Sequence, residues 1–363
     1  MIIKQTLHKI SIVCIVLLLA CNNLYGQIGK KSKYMNKSKR PGATRYQGDR
    51  LAFNKPKRYN SIGFSISALN YFGDLAPRPN TFSTDISFTK PALAVSFSHR
   101  KGPRFTLRAN FMYGVLRGSD AESADSGDVS GKYRYVRNLS FRNQIKELSF
   151  VTVFDWFKNE SNHLRRVDFT PYAFAGVAFF HHNPEAKAPT NDLHGNPLEV
   201  GGQWVKLWPL GTEGQFANLD DTDANYGIKK YSRFQIAIPA GLGVRVKLND
   251  IFDLEFETGF RILFTDYLDD VSRNYVDLSK LDSELARAMS YRSNEVVASV
   301  SNEVSGVVAK TYITDSGYEV IAGYGDEHID NIRGNKYDND VFMTTTIRIN
   351  YVIGRSFYRS KHR

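Results

Sequence analysis

Three acidic residues in the stretch DYLDD, Asp266, Asp269 and Asp270, could offer oxygen ligands to a hard cation such as Ca²⁺. Their spacing does not match an EF-hand loop and no glycine occupies the required turn, so capping of a loop is the competing use. His181 and His182 are adjacent, and neighbouring side chains on an extended segment point to opposite faces. They cannot chelate one ion together. Gly241-x-Gly243 lies inside an alternating segment, not at a strand-to-helix turn, so it is no nucleotide fingerprint. Small residues there make room for bulky neighbours. No G-x-S-x-G or equivalent constellation can be assigned, and no catalytic residue or cofactor is expected.

A second set of charges recurs at every other position of long apolar segments. Arg108, Glu147, Asp155, Arg245, Glu255, Glu257, Arg261 and Arg348, with Lys247, all fall on the polar side of such segments. Buried charges must be paired, and both signs are present. The leading reading is a structural salt-bridge plug inside a barrel, with a proton path or narrow pore as the alternative.

The segments that must position these charges are long. Residues 231–249 place Phe234, Ile236, Ile238, Leu242 and Val246 opposite Arg233, Gln235, Arg245 and Lys247, and 252–265 and 104–116 repeat the pattern. The alternation predicts eight strands, at about 61–72, 90–101, 104–116, 144–157, 168–181, 231–249, 251–265 and 339–353. The second, fourth and sixth connections are short: Gly102-Pro103, about 158–167, and Asn249-Asp250. The others are long, at about 73–89, 117–143, 182–230 and 266–338. Such segregation is the rule for outer-membrane barrels, and a soluble β-sandwich has no reason to follow it. The expected fold is all-β: an eight-stranded antiparallel transmembrane β-barrel with long extracellular loops. A barrel of eight strands is just filled by its own side chains, so no standing aqueous channel is expected.

Aromatic residues near strand ends are candidates for interfacial girdles: Tyr71, Phe72, Trp156, Phe157, Tyr231, Phe264, Tyr267 and Tyr351. Trp204 and Trp208 in the fifth connection predict a lid over the barrel mouth or a partner contact. Leu278, Leu281, Leu285 and Met289 predict one short helix at about 278–292 in the loop 266–338.

The chain of 363 residues carries 48 Lys and Arg against 37 Asp and Glu, a net charge of +11. Its two cysteines, Cys14 and Cys21, lie in the leader, which excludes a disulfide framework and cysteine-ligated metal sites. Residues 1–26 read as a signal peptide, with Lys4 and Lys9 before the apolar run from Ile10 to Ala20. Cleavage falls either before Cys21, as in a lipobox, or after Gly26 to leave Gln27; bulky Leu19 favours the second. No later apolar run reaches the ~18–20 residues of a membrane helix. Residues 27–60 form a basic arm with Lys30, Lys31, Lys33, Lys37, Lys39 and Arg40, and 355–363 form a basic tail. Both are expected in the periplasm, the arm as a docking element or a solvated linker. Export makes nucleic acid an improbable partner.

Several stretches carry a family resemblance: Asn70-Tyr-Phe-Gly-Asp-Leu75, the run WPLGTEGQ at 208–215, and Ile238-Pro-Ala-Gly-Leu-Gly243. To these belong FTDYLDDV at 264–271 with Tyr275-Val-Asp277, Arg333-Gly-Asn335 and Asp338-Asn-Asp340. Over roughly 61–353 the chain resembles the Bacteroidetes outer-membrane barrel family that includes PorG, a component of the type IX secretion and gliding machinery. The resemblance implies a small barrel in contact with outer-membrane lipid that is not the translocation pore. It also implies association with a periplasmic ring made of a lipoprotein and its partner. Alternative roles are a surface-binding or envelope-structural barrel unrelated to secretion, and an outer-membrane hydrolase.

Overall fold

Alternation closes into a wall. The computed structural model describes residues 57–75, 89–124, 129–299 and 310–353. Gly26, Gln27, the arm residues Lys30, Lys31, Lys33, Lys37, Lys39 and Arg40, and the tail 355–363 lie outside the described residues. The strands are β1 (Asn60–Phe72), β2 (Lys90–Arg100), β3 (Phe105–Ser119), β4 (Ser140–Asp155) and β5 (Phe169–His181). Two short ones, β6 (Pro184–Lys187) and β7 (Trp204–Lys206), precede β8 (Phe234–Lys247) and β9 (Phe252–Leu263). A small pair, β10 (Thr311–Ile313) and β11 (Glu319–Ile321), precedes β12 (Val341–Ile353).

Eight of these strands form a closed antiparallel ring. Its order is β1-β2-β3-β4-β5-β8-β9-β12, and β12 returns to β1 with Ile347 opposite Ile66. β6 and β7 prolong the β4 edge beyond the ring, Glu185 lying opposite Arg142. The barrel strands have 11 to 16 residues, enough for the ~9–11 that a tilted strand needs to cross a bilayer. Phe64, Ile66, Leu93, Phe111, Phe234 and Ile347 point outward and are among the most exposed apolar side chains. An apolar belt around a closed cylinder is stable against lipid and not against water.

Inside, the two halves differ. The half toward the short turns is ionic. The half toward the long loops is an apolar layer to which every barrel strand contributes, among them Leu69, Ala94, Met112, Ile145, Phe180 and Phe342. Glycines permit the packing between the layers: a Cβ on Gly241 or Gly259 would stand 2.7 Å from the tip of the Phe174 ring, and one on Gly243 would meet the Tyr172 ring.

Three local expectations need correction. β3 and β4 pair as far as Ser119 opposite Ser140, beyond the expected limits, because the ladder continues past the apolar band where polar residues serve equally well. The single helix expected at 278–292 is a 3₁₀ turn (Leu278–Lys280) and a helix (Glu284–Ser290), and a second helix (Ser293–Ser299) follows. Side-chain acceptors divide them, Asp277 capping the turn and Ser283 the first helix. Tyr71 and Tyr231 are not girdle residues; both are buried, their hydroxyls spent on carboxylates at the barrel mouth. Trp156, Phe157, Phe264 and Tyr351 are exposed at strand ends.

Candidate functional site

The ionic half of the interior is built around one connected network. Asp155 pairs with Arg100 at 2.6 Å and Arg245 at 3.1 Å. Arg245 reaches Glu255 at 2.7 Å, and Glu255 also meets Arg348 at 3.0 Å and Arg108 at 3.4 Å. Glu257 accepts from Arg108 and Arg348, both at 2.9 Å, and from the Tyr172 hydroxyl at 3.0 Å. The extra guanidinium charge is spread over aromatic faces, Arg108 lying 5.3 Å from the Phe174 centroid and Arg245 5.2 Å from that of Tyr172. Arg261 and Glu147 make a separate pair at 3.4 Å nearer the apolar layer. A cavity of about 20 Å³ beside Tyr59, Arg100 and Arg245 has room for about one water molecule.

All eight interior charges proposed from the sequence therefore meet within the barrel. Lys247 does not join them; it bonds Asp250 and the Leu164 carbonyl at the short-turn rim. Arg100 escaped the sequence reading although it shares the inward parity of Ser96 and Ser98. So did the Arg166–Asp253 pair at 2.9 Å, since the turn bearing Arg166 has no periodicity.

At the opposite end the loops meet the wall in a second buried polar node. The DYLDD carboxylates do not converge on one point. Asp270, with a left-handed backbone (φ 69°), turns to the Thr212 and Tyr231 hydroxyls, both at 2.6 Å. Asp269 and Asp340 instead share the Tyr71 hydroxyl, at 2.6 and 2.7 Å. Asp340 also accepts from the Leu268 amide and Asp269 from that of Val271.

Burial, then the charges of Asp340, Asp74 and Asp269, pushes Asp266 far above the usual carboxylate range. Burial raises Asp340 to about 8 and Asp74 to about 6, and burial followed by Asp340 and Asp74 raises Asp269. A phenol has one proton to donate. The second short contact of Tyr71 therefore uses a carboxyl proton, so the pair Asp269 and Asp340 holds one between them. Among the described residues no group of three or more His, Cys, Asp or Glu side chains is arranged to hold a metal.

Of the segments that carried the family resemblance, Ile238–Gly243 lies apart in the β8 wall against Tyr172 and Phe174, whereas those from the loops gather around this node. Glu213 of the WPLGTEGQ run is fully buried and accepts from Arg333 at 2.9 Å and from the Ser272 and Arg273 amides. Arg137 spans the node, gripping Asp120 with two bonds of 2.8 Å and the carbonyls of Asp74 and Arg333. Gly334 is required because a Cβ there would stand 2.6 Å from the Asp74 carboxylate. Thr212 and Glu213 seal the mouth, whereas Trp204 is exposed and Trp208 is half-buried, its indole N–H on the Tyr231 carbonyl at 2.9 Å. Above them Tyr275, Leu278, Leu281, Tyr291 and Ile321 form the core of a folded cap. His182 is buried in the neck, stacked on Tyr231, and burial lowers it to about 4. It is neutral there.

Residues 51–192 match a family described as a domain of unknown function, DUF6089. No protein of curated function matches the sequence. Among solved structures, the chain is similar to the neisserial surface protein A at 9% identity, covering 80% of this chain and 96% of that one, with a TM-score of 0.33. A major outer membrane protein from Thermus thermophilus is 11% identical over 81% of this chain and 99% of that one, TM-score 0.34. The N-terminal barrel domain of Pseudomonas aeruginosa OprF is 8% identical over 81% and 99%, TM-score 0.28.

Proposed function

We propose that this chain is a non-enzymatic anchor of an outer membrane, with its short turns and termini in the periplasm and its folded cap outside. In this reading it serves type IX protein secretion. It fastens the periplasmic ring, a lipoprotein and its partner, to the membrane without itself passing cargo. The observation that carries the reading is the filled interior. Arginine–carboxylate pairs close one half and an apolar layer closes the other, so the barrel supplies fixation and not passage. The interior acids are also committed as ion pairs, with Glu255 and Glu257 each held by two or more arginines, which speaks against a general acid or base among them. The resemblance to the family that includes PorG supplies the ring as partner, and the basic arm from Lys30 to Arg40 supplies charge that biases assembly.

Deleting the gene tests the role. Secreted cargo is expected to disappear while the envelope stays intact; unchanged secretion overturns the reading, and loss of surface adhesion alone assigns the barrel to surface binding. Neutralising Lys30, Lys31, Lys33, Lys37, Lys39 and Arg40 is expected to reduce ring co-purification while the barrel still shifts on heating in gels. Full co-purification removes the arm from the contact.

A further inference from the structure

The outer wall is not uniform around its circumference. Across β3, β4, β5 and β8 the residues Phe111, Leu148, Phe179 and Ile236 lie in one outward row, each opposite the next in the ladder. One step toward the long loops a second row runs through Lys146, His181 and Phe234. The two rows line a trough of about 590 Å³ on the membrane face. Its floor is apolar, and the His181 ring meets the Phe234 ring edge-on at 4.8 Å.

Cations crowd the end of the trough nearest the loops. Lys146 lies opposite His181 in the ladder, the Arg233 carbonyl accepts from the His182 amide at 2.9 Å, and Lys206 lies opposite Glu185 just beyond the end of β5. Glu185, opposite Lys206 in the ladder, is paired with Arg142 at 2.9 Å, and that guanidinium is stacked 3.8 Å from the Trp204 centroid. Arg233 is held over Trp208 at 4.7 Å. Among the described residues no carboxylate pairs with Lys146, Lys206 or Arg233, so this rim keeps a net positive charge. A membrane face that joins an apolar trough to such a rim complements an amphiphile whose acyl chain lies along the wall and whose anionic head sits at the boundary.

We propose that this face binds lipid A of the outer leaflet, the acyl chain lying over Phe111, Leu148, Phe179 and Ile236 and a phosphate held by Lys146, Lys206 and Arg233. The proposal rests on the outer-membrane orientation given above. A phosphate near neutral pH carries about −1.5 to −2 charges, which matches three cations better than a single-charge headgroup does.

The test uses the full chain purified in detergent and titrated with diphosphoryl lipid A, dephosphorylated lipid A and phosphatidylglycerol, followed by native mass spectrometry. The wild type is expected to hold diphosphoryl lipid A in preference to both others. The combined change K146Q/K206Q/R233Q is expected to weaken binding about 100-fold, at roughly fivefold per cation, while K146R/K206R/R233K retains it. If the neutralised barrel does not shift on heating in gels, Lys206→Gln alone, on β7 outside the ring, is expected to weaken binding about fivefold. Equal binding by the neutralised chain, equal binding of phosphatidylglycerol, or a dimer that buries this face in place of lipid overturns the site. Membrane fractionation separates the two readings: a chain in the outer membrane that ignores lipid A loses only this site, whereas a chain found elsewhere loses the orientation as well.

Discussion

A carboxylate inside a narrow barrel persists because arginines face it from neighbouring strands, and Glu255 shows the dependence most clearly. It lies between Arg245, Arg348 and Arg108, so Glu255→Gln leaves three guanidinium groups with less negative charge than they need. Removing one partner of a buried pair costs about 3–5 kcal/mol, and the urea midpoint of the variant in micelles is expected to fall accordingly; an unchanged midpoint contradicts the network's role. The mouth obeys the opposite sign. Asp340 and Asp74 are raised in the folded chain to about 8 and about 6, above the ordinary value near 4. A raised carboxyl stabilises the fold fully below its unfolded value and ceases to do so as pH climbs through its folded value. Protection of the Leu268 and Val271 amides, taken as hydrogen exchange relative to the intrinsic base-catalysed rate, is therefore expected to fall as pH rises through about 6 and then about 8. Asp269→Asn supplies an amide that accepts from Val271 and donates to the Tyr71 hydroxyl without a titrating proton. It is expected to flatten that pH dependence, and an unchanged slope would place the proton elsewhere.

Elements in this protein are set by which side of a strand is small. On Gly243 the atoms nearest an added Cβ belong to the tip of the Tyr172 side chain, whereas on Gly241 it stands against the Thr258 carbonyl and the Gly259 backbone. Gly243→Ala is expected to cost about 1–3 kcal/mol as ordinary overpacking, and Gly241→Ala more; the reverse order in urea unfolding would refute the packing account. The same strand parity explains what could be read from the sequence. Arg108, Glu257 and Arg348 were legible because a period of two repeats over more than ten residues and assigns each position a face. Tyr71 was misplaced when its aromatic character was weighed above its parity, since Ser65, Ser67 and Leu69 already marked that side as inward. Beyond the apolar band the period fades. The Glu213–Arg333 pair, 120 residues apart in the chain, and the division of the expected helix at Ser283 depend on loop contacts that no local pattern encodes. The polar motifs of the loops were legible as a set, but not as a node that closes the mouth.

For the whole molecule, the two halves of the interior are independent barriers in series. The ionic half is closed by charge pairing, and substituting its members alters hydration there without touching Leu69, Met112, Ile145 or Phe180 in the layer above. That apolar layer excludes ions because an unpaired charge has no partner in it. Wild-type protein in planar bilayers is accordingly expected to show no stepwise conductance. The combined change Glu257→Ala and Arg348→Ala removes their mutual ion pair of 2.9 Å together with the Arg108–Glu257 and Arg348–Glu255 pairs, and deletes one charge of each sign. It is expected to lower thermal stability yet still to show no conductance steps, because the second barrier is intact. Steps in that variant alone would mean the ionic half is the gate and the apolar layer is permeable. Steps in the wild type would mean that the interior opens in the membrane, and a barrel that opens could carry cargo instead of merely holding a machine in place.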